Sequence, residues 1–184
     1  MDEIEKYVEK YLPEILGEIL STFRKNEIPE LSNAEKALIY KYSDDEYEFV
    51  NQYLRINNGR LNDFGKLLGI SLDKLPNYRK LCFRAVHLKP NELKKYIDAF
   101  ESSNKIIEHS FLSCSSSRLI AMQFNHNVLF RIQSKKGKDI QKIAKFGIES
   151  GQNEKEILFK ANTVFYVLDV RKENAKTLIT LQEV

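Results

Sequence analysis

The stretch IIEHSFL, residues 106–112, marks the point where the sequence changes from helical to β-like periodicity. Before it, apolar residues recur at the spacing of amphipathic helices. After it, short runs rich in β-branched and aromatic residues are separated by turn residues, which is typical of strands. Helices first and strands second, without alternation of the two, predict an α+β fold with a mostly antiparallel sheet or sandwich.

The predicted strands form five segments in the second half and one isolated segment in the first. The run 80–86 is the isolated strand, since it lies among predicted helices. The others are 106–112, 127–133, 154–159, 163–170 and 177–181.

The N-terminal helical stripe runs from Ile4 to Phe23 and carries Pro13 near its middle, so we expect two short helices. Its polar face mixes acids with lysines, whereas a helix that binds a membrane surface is usually distinctly basic. The sequence therefore favours packing on the rest of the domain over docking to a membrane or a partner.

Two Ser-x-x-Glu capping boxes are predicted downstream, at 32–35 and 43–46, opening helices at 34–42 and 44–57. The apolar face of the second of these helices also carries Asn51 and Arg55. A buried amide or guanidinium needs partners, so these side chains either cap neighbouring backbone or face a ligand. Further helices are expected at 61–68 and 90–100.

Composition bounds the class of protein. With 184 residues, 42% of them hydrophobic, and no uncharged apolar run near 18 residues, the sequence predicts one soluble domain without a membrane span. The 29 Lys and Arg against 26 Asp and Glu are spread along the chain, which argues against nucleic-acid binding. The acidic start lacks the basic region of a signal peptide, and two cysteines exclude a disulfide scaffold and fit a reducing compartment.

Common catalytic signatures are missing from the sequence. It contains no glycine-rich dinucleotide fingerprint, P-loop, HExxH or nucleophile elbow, and its three histidines are scattered. Three weaker patterns remain as candidates for chemistry.

Each of the three patterns has two interpretations. Arg84 lies in the apolar run LCFRAV, residues 81–86, and needs either a structural salt bridge or an anionic ligand. The run SCSSS, residues 113–117, is either a serine-rich turn or a set of hydroxyls that hold a carboxylate. Glu154 and Glu156 would share one face of a strand about 7 Å apart. They are either a solvated edge or the carboxylate pair used in substitution at a sugar carbon.

Taken in order, the three patterns resemble the bacterial ADP-ribosyltransferase exoenzyme family and its bacteriophage relatives, of the arginine–serine–glutamate class with an ExE motif. The resemblance covers about residues 32–184. The runs LSNAEK (31–36) and NQYLR (51–55) resemble the helical lead-in of the family. FLSCS (111–115) stands where members carry Ser-Thr-Ser, and EKEILF (154–159) with TVFYV (163–167) resembles their last strands.

This resemblance implies a two-sheet β-sandwich core behind N-terminal helices. Residues 1–31 would form a helical segment, either a cap or a delivery or chaperone-docking element, and residues 32–184 the catalytic domain. It also implies a monomeric NAD-dependent transferase that needs no metal. Its place of action would be the cytoplasm of a target or host cell, as a toxin-like effector or phage protein.

For NAD binding, the resemblance implies that Arg84 grips the diphosphate. Asn51 and Arg55 would help from their helix, and Phe124 would lie near the nicotinamide. Two departures from the family pattern are Ala85, where many members have glycine, and Cys114, which replaces the usual threonine.

For catalysis, the resemblance implies that Ser113 positions Glu156, which stabilises the ribose cation as nicotinamide leaves. Glu154 would orient or deprotonate the acceptor, and residues 146–153 would contact the target protein. In most members of the family, glutamate at the first ExE position accompanies arginine modification, and a carboxylate can pair bidentately with guanidinium. An arginine of a target protein is therefore the predicted acceptor, with NAD glycohydrolase and a non-enzymatic binding module as alternatives.

Overall fold

The computed structural model describes residues 2–124, 126–173 and 175–184. The helices are α1 Glu3–Tyr11, α2 Pro13–Ser21, α3 Asn33–Lys41, α4 Tyr47–Ile56, α5 Asp63–Asp73, α6 Pro90–Glu101 and α7 Arg118–Ala121. The strands are β1 Asn77–Tyr78, β2 Leu81–Val86, β3 Lys105–Glu108, β4 Leu112–Ser115, β5 Val128–Gln133, β6 Gly137–Asp139, β7 Glu156–Phe159, β8 Thr163–Glu173 and β9 Lys176–Glu183.

The N-terminal stripe forms the two predicted helices, and Pro13 occupies the first position of α2. At that position its missing N–H costs nothing, because the first N–H groups of a helix have no partner within the helix. Ile4, Val8 and Ile19 are buried against α3 and its neighbours. The prediction that these helices pack on the domain is therefore confirmed.

Of the two predicted capping boxes, only the first is present. The Ser32 Oγ accepts a hydrogen bond from the Glu35 N–H (3.2 Å), and the Glu35 carboxylate accepts one from the Ser32 N–H (2.8 Å). The second prediction is wrong, because the backbone continues from α3 through a π-helical turn, Tyr42–Glu46, into α4. In that turn the Ser43 Oγ instead accepts a hydrogen bond from the N–H of Lys145 (2.8 Å).

The described residues pair as nine strands in the order β1-β6-β7-β4-β2-β5-β9-β8-β3, antiparallel except for β5 with β9. This confirms the α+β class with N-terminal helices and a mostly antiparallel sheet. The division into two sheets is not confirmed, since the pairing order is continuous. The shortest pairing in the sheet is between β2 and β4, which share a single residue pair, Phe83 with Ser115.

Two strand predictions need correction. The run 106–112 is not one strand. Residues 109–111 belong to no strand and separate β3, which pairs with β8, from β4, which pairs with β7. The run 154–159 becomes a strand only at Glu156, because Lys155 has a positive φ of 52° that interrupts the extended backbone. Three short elements, β1, β6 and α7, were not predicted, because each has too few residues to show a recognisable periodicity of apolar side chains.

Two apolar clusters lie against the sheet, and β7 joins them. Leu158 packs into the cluster formed mainly by the helices, whereas Ile157 and Phe159 pack into the cluster between α6 and the sheet. All four β7 residues are buried, which is why this strand lacks the usual polar–apolar alternation. The strand that follows Glu154 is therefore fixed on both faces.

Candidate active site

A cleft of about 360 Å³ opens where β2 and β4 diverge. Its walls come from the α3–α4 turn and α4, the strands β2 and β4, α7 with the segment after it, and the segment that leads to β7. The lining residues are Tyr42, Ser43, Asp44, Tyr47, Asn51, Phe83, Arg84, Ala85, Ser113, Cys114, Ser115, Ile120, Ala121, Phe124, Phe146, Glu154 and Glu156. Six of the seven predicted site residues are in this set, and Arg55 is not.

A buried serine–glutamate pair lies on adjacent strands of this cleft. The Ser113 hydroxyl on β4 donates a hydrogen bond to the Glu156 carboxylate at the start of β7 (2.7 Å). Glu156 is only 6% exposed. Burial raises its pKa to about 7, and the nearby Glu154 charge adds to this, while the Ser113 hydrogen bond and the Arg84 cation act in the opposite direction.

Arg84 projects from β2 into the same cleft. Its guanidinium donates to the backbone carbonyl of Ser113 (2.6 Å), and no carboxylate within the described ranges forms a salt bridge with it. A guanidinium has five N–H donors, so most of them remain available to an anion in the cleft. The salt-bridge interpretation of Arg84 thus finds no partner among the described residues, and the anionic ligand stays a prediction.

Glu154 precedes β7 and is held by its backbone. Its N–H donates to the Phe146 carbonyl (2.9 Å), and its own carbonyl accepts from the Ser115 hydroxyl (2.7 Å). The side chain lines the cleft, and burial raises the pKa of its carboxyl group. Strand alternation does not place Glu154 beside Glu156, as the sequence had suggested, because the intervening Lys155 is in the left-handed region.

Asn51 caps backbone and lines the cleft at once. Its Oδ1 accepts from the Phe111 N–H (3.0 Å), and its Nδ2 donates to the Tyr42 hydroxyl (3.1 Å). The expectation that Arg55 shares this buried face is wrong. Arg55 lies one turn further along, near the C-terminal end of α4, where the helix extends beyond the cleft and the side chain is exposed.

Four aromatic lining residues were not predicted as site residues: Tyr42, Tyr47, Phe83 and Phe146. Tyr42 and Tyr47 belong to the α3–α4 region and look like ordinary apolar stripe positions, and burial raises the pKa of both. Phe146 was included only as the start of the loop expected to contact the target. Only proximity in the folded chain distinguishes these aromatics from core residues, because a helical stripe predicts both equally well.

Within residues 2–124, 126–173 and 175–184, no group of three or more His, Cys, Asp or Glu is arranged to hold a metal ion. In that same part of the chain no helix has the length and apolar character needed to cross a membrane. Cys82 and Cys114 are free and buried, and Cys114 lines the cleft.

A buried glutamate held by a serine, a second glutamate and an arginine therefore line one cleft. The profile of the ADP-ribosyltransferase exoenzyme family matches residues 5–184. The chain therefore belongs to the ADP-ribosyltransferase exoenzyme family. The family predicted from the sequence is thus confirmed.

Among curated proteins, the chain is similar to Mav of Mycobacterium avium strain 104, whose name assigns it NAD(+)–arginine ADP-ribosyltransferase activity. The two are 28% identical over 159 aligned positions, and the match covers 83% of this chain and 18% of Mav. The chain thus spans less than a fifth of the length of this relative.

Two solved structures show the same fold. The ADP-ribosyltransferase HopU1 of Pseudomonas syringae pv. tomato DC3000 superimposes with a TM-score of 0.80 at 21% identity, over 94% of this chain and 87% of that one. Exoenzyme S of Pseudomonas aeruginosa, solved with human 14-3-3 protein beta and carba-NAD, gives a TM-score of 0.78 at 19% identity, over 98% and 87% of the two chains.

Proposed function

We propose that this chain transfers ADP-ribose from NAD to an arginine side chain of a target protein and releases nicotinamide. The observation that carries the proposal is the buried Ser113–Glu156 hydrogen bond of 2.7 Å, in a cleft that also contains Arg84 and Glu154. Family membership supports the reaction class, and the name of Mav supports arginine as the acceptor.

The chemistry of the cleft fits NAD. Arg84 offers free N–H donors for a diphosphate, and Glu156 offers a buried acceptor for a ribose hydroxyl. Bound NAD supplies a ribose carbon from which nicotinamide leaves with the electrons of the broken C–N bond, so that positive charge develops on the ribose. Asn51 and Phe124 also line the cleft, and their contact with NAD stays a prediction.

Glu156 is the group that stabilises this developing charge. An ionised carboxylate shielded from water interacts strongly with a nearby cation, and it does not need to reorient during the reaction. The Ser113 hydroxyl fixes the carboxylate and favours its ionised form, which partly offsets the effect of burial on its pKa. Arg84 acts in the same direction, because its positive charge also favours the carboxylate.

Glu154 orients the acceptor arginine and accepts its proton. Its carboxylate can pair with two N–H groups of an arginine, which holds the guanidinium with one nitrogen toward the ribose carbon. As that nitrogen forms the new C–N bond it loses a proton, and the Glu154 carboxylate accepts it. A raised pKa makes the group a better proton acceptor near neutral pH.

We further propose that the chain acts as a monomer in the cytoplasm of the cell that contains its target protein. The division into a helical segment, 1–31, and a catalytic domain, 32–184, stays a prediction. The described helices α1 and α2 do, however, share one apolar cluster with α3 and β7.

The deciding experiment incubates the chain with labelled NAD, with and without agmatine as an arginine analogue. Labelled agmatine supports transfer to arginine. Free ADP-ribose without labelled agmatine would make the protein an NAD glycohydrolase, and unchanged NAD would contradict both activities and favour a binding module.

A further inference from the structure

Arg24, in the 3-10 turn Phe23–Asn26 that follows α2, is a buried cation whose partners lie far away in sequence. Its guanidinium donates to the carbonyls of Ile143 (2.9 Å) and Ala144 (3.2 Å) and forms a salt bridge with Glu149 (3.1 Å). Burying a guanidinium is costly unless its donors are satisfied. Here the partners that satisfy it all belong to the segment that precedes the ExE motif.

This segment connects Arg24 to the cleft within a few residues. Two residues after Ala144 comes Phe146, whose side chain lines the cleft and whose carbonyl accepts the N–H of Glu154 (2.9 Å). The backbone position of Glu154 therefore depends on Phe146, and that of Phe146 depends on the turn held by Arg24.

The far side of the loop is anchored to the same turn. The second carboxylate oxygen of Glu149 accepts a hydrogen bond from the Phe23 N–H (3.1 Å), so Glu149 binds both the backbone and the side chain of the N-terminal segment. A further, exposed ion pair joins the same two segments between Lys142 and Glu27 (2.8 Å). Exposed pairs of this kind contribute little. The Arg24 side chain and its hydrogen bonds to the Ile143 and Ala144 carbonyls are instead buried.

Three other site residues are held by strands instead. Arg84, Ser113 and Glu156 lie on β2, β4 and β7, and the hydrogen bonds of those strands fix their backbone. Loss of the Arg24 contacts should therefore disturb Glu154 and Phe146 and leave the other three in place.

We infer that Arg24 is a positioning residue for acceptor transfer: it holds residues 143–149 so that Glu154 faces the acceptor. The inference rests on the proposed function. It also makes the N-terminal segment part of the transferase site, in contrast to a separable delivery element.

The test compares Arg24→Met with the matched control Glu27→Gln, which removes only the exposed ion pair. Both variants are assayed with NAD and agmatine for transfer and, without agmatine, for NAD hydrolysis. We expect Arg24→Met to lower the ratio of transfer to hydrolysis about tenfold, since small displacements of a positioning group are costly in rate. We expect Glu27→Gln to keep the wild-type ratio. General destabilisation would lower both rates together, so an unchanged ratio in a folded Arg24→Met would overturn the inference.

Two further variants keep the test decisive if Arg24→Met fails to fold. Glu149→Ala removes one anchor while Arg24 keeps its carbonyl partners, and it should shift the ratio in the same direction by a smaller factor. Arg24→Lys should restore part of the ratio, because lysine retains the charge without the fork of donors. Wild-type ratios in both would contradict the proposed role.

Amide hydrogen exchange separates this inference from the proposed function. Residues 143–154 should exchange faster in Arg24→Met than in Glu27→Gln, whether or not the wild-type protein cleaves NAD. An inactive wild-type protein with this exchange difference would sink the proposed function alone. Equal exchange in the two variants would sink the anchoring itself.

Discussion

The two halves of the site are held in different ways. Arg84, Ser113 and Glu156 belong to strands whose ladders fix their backbone, and Glu156 opens a strand that is buried throughout. Glu154 and Phe146 belong to irregular backbone, which side chains and single hydrogen bonds hold in place. The proposed function assigns the cleavage of NAD to the strand-borne half and the choice of acceptor to the loop-borne half.

This difference has a physical reason. The charge that develops on the ribose must meet a carboxylate that is already in place, because reorientation would cost part of the rate gain. The acceptor is instead a side chain of another protein, which a loop can accommodate. Changes in the strand-borne half should therefore abolish both reactions, whereas changes in the loop-borne half should separate them.

The largest effect is expected for Glu156→Gln. Loss of the charge that stabilises the ribose cation should lower both transfer and NAD hydrolysis by roughly two to three orders of magnitude. Rates with and without agmatine measure this. Normal hydrolysis in the variant would show that Glu156 is not the group that stabilises the cation.

Stability provides the control for that variant. Glu156 has its pKa raised from 4.5 to about 7, so the folded protein loses stability as the pH rises from the lower value through the higher one. Above a pH of about 7, the free energy of unfolding is lower by about 3 kcal/mol than in acid because of this group. Glu156→Gln should therefore unfold at a higher temperature than the wild type at pH above 7, with the difference vanishing in acid.

A smaller, one-sided effect is expected for Glu154→Gln. An amide can neither accept the proton nor pair as well with the guanidinium, so agmatine transfer should fall by about two orders of magnitude. NAD hydrolysis should stay within a few-fold of the wild type, because Glu156 and Ser113 are untouched. Full transfer to agmatine by this variant would rule out Glu154 as the acceptor-side carboxylate.

The pH dependence of NAD hydrolysis should follow the ionisation of Glu156. Below a pH of about 7 the value of kcat/KM should fall roughly tenfold per unit, because only the ionised carboxylate stabilises the cation. In Glu154→Gln the midpoint should move to lower pH, since the Glu154 charge contributes to the raised pKa. A flat profile from about pH 5.5 to about pH 8.5 would contradict this role.

The smallest effect is expected at Gly147, where the loop folds back on itself. An added Cβ would lie 2.1 Å from the Gln141 carbonyl oxygen, so Gly147→Ala must shift the loop backbone. We expect a loss of about 1–3 kcal/mol in the free energy of unfolding and a several-fold loss of transfer relative to hydrolysis. The matched control is Gly17→Ala in α2, where a Cβ meets nothing within 4 Å and should stabilise the helix by roughly 0.5–1 kcal/mol. Equal stability of the two variants would show that the loop tolerates the change.

The sequence was most informative where a local pattern meets a local requirement. Pro13 marked the boundary between α1 and α2, and Ser32 with Glu35 marked the start of α3, because both signals act within one helical turn. Ser43 with Glu46 has the same capping pattern, but the predicted cap does not form, because the π-helical turn Tyr42–Glu46 leaves no helix start at Ser43. The prediction for Arg55 was wrong for a similar reason: helical periodicity assigns a residue to a face of α4, but it does not show where along the helix the cleft ends.

The sequence alone determined the α+β class, the family, and six of the residues that line the cleft. The order of the motifs along the chain is informative about the family because the side chains needed for the chemistry lie on particular strands, and those strands follow one another in a fixed order. Only the tertiary structure decided how the two glutamates come together, through the left-handed Lys155 and the loop bonds to Phe146 and Ser115. It also brought Arg24 onto a segment about 120 residues away. Contacts between distant segments depend on the whole packed chain, and no local pattern in the sequence encodes them.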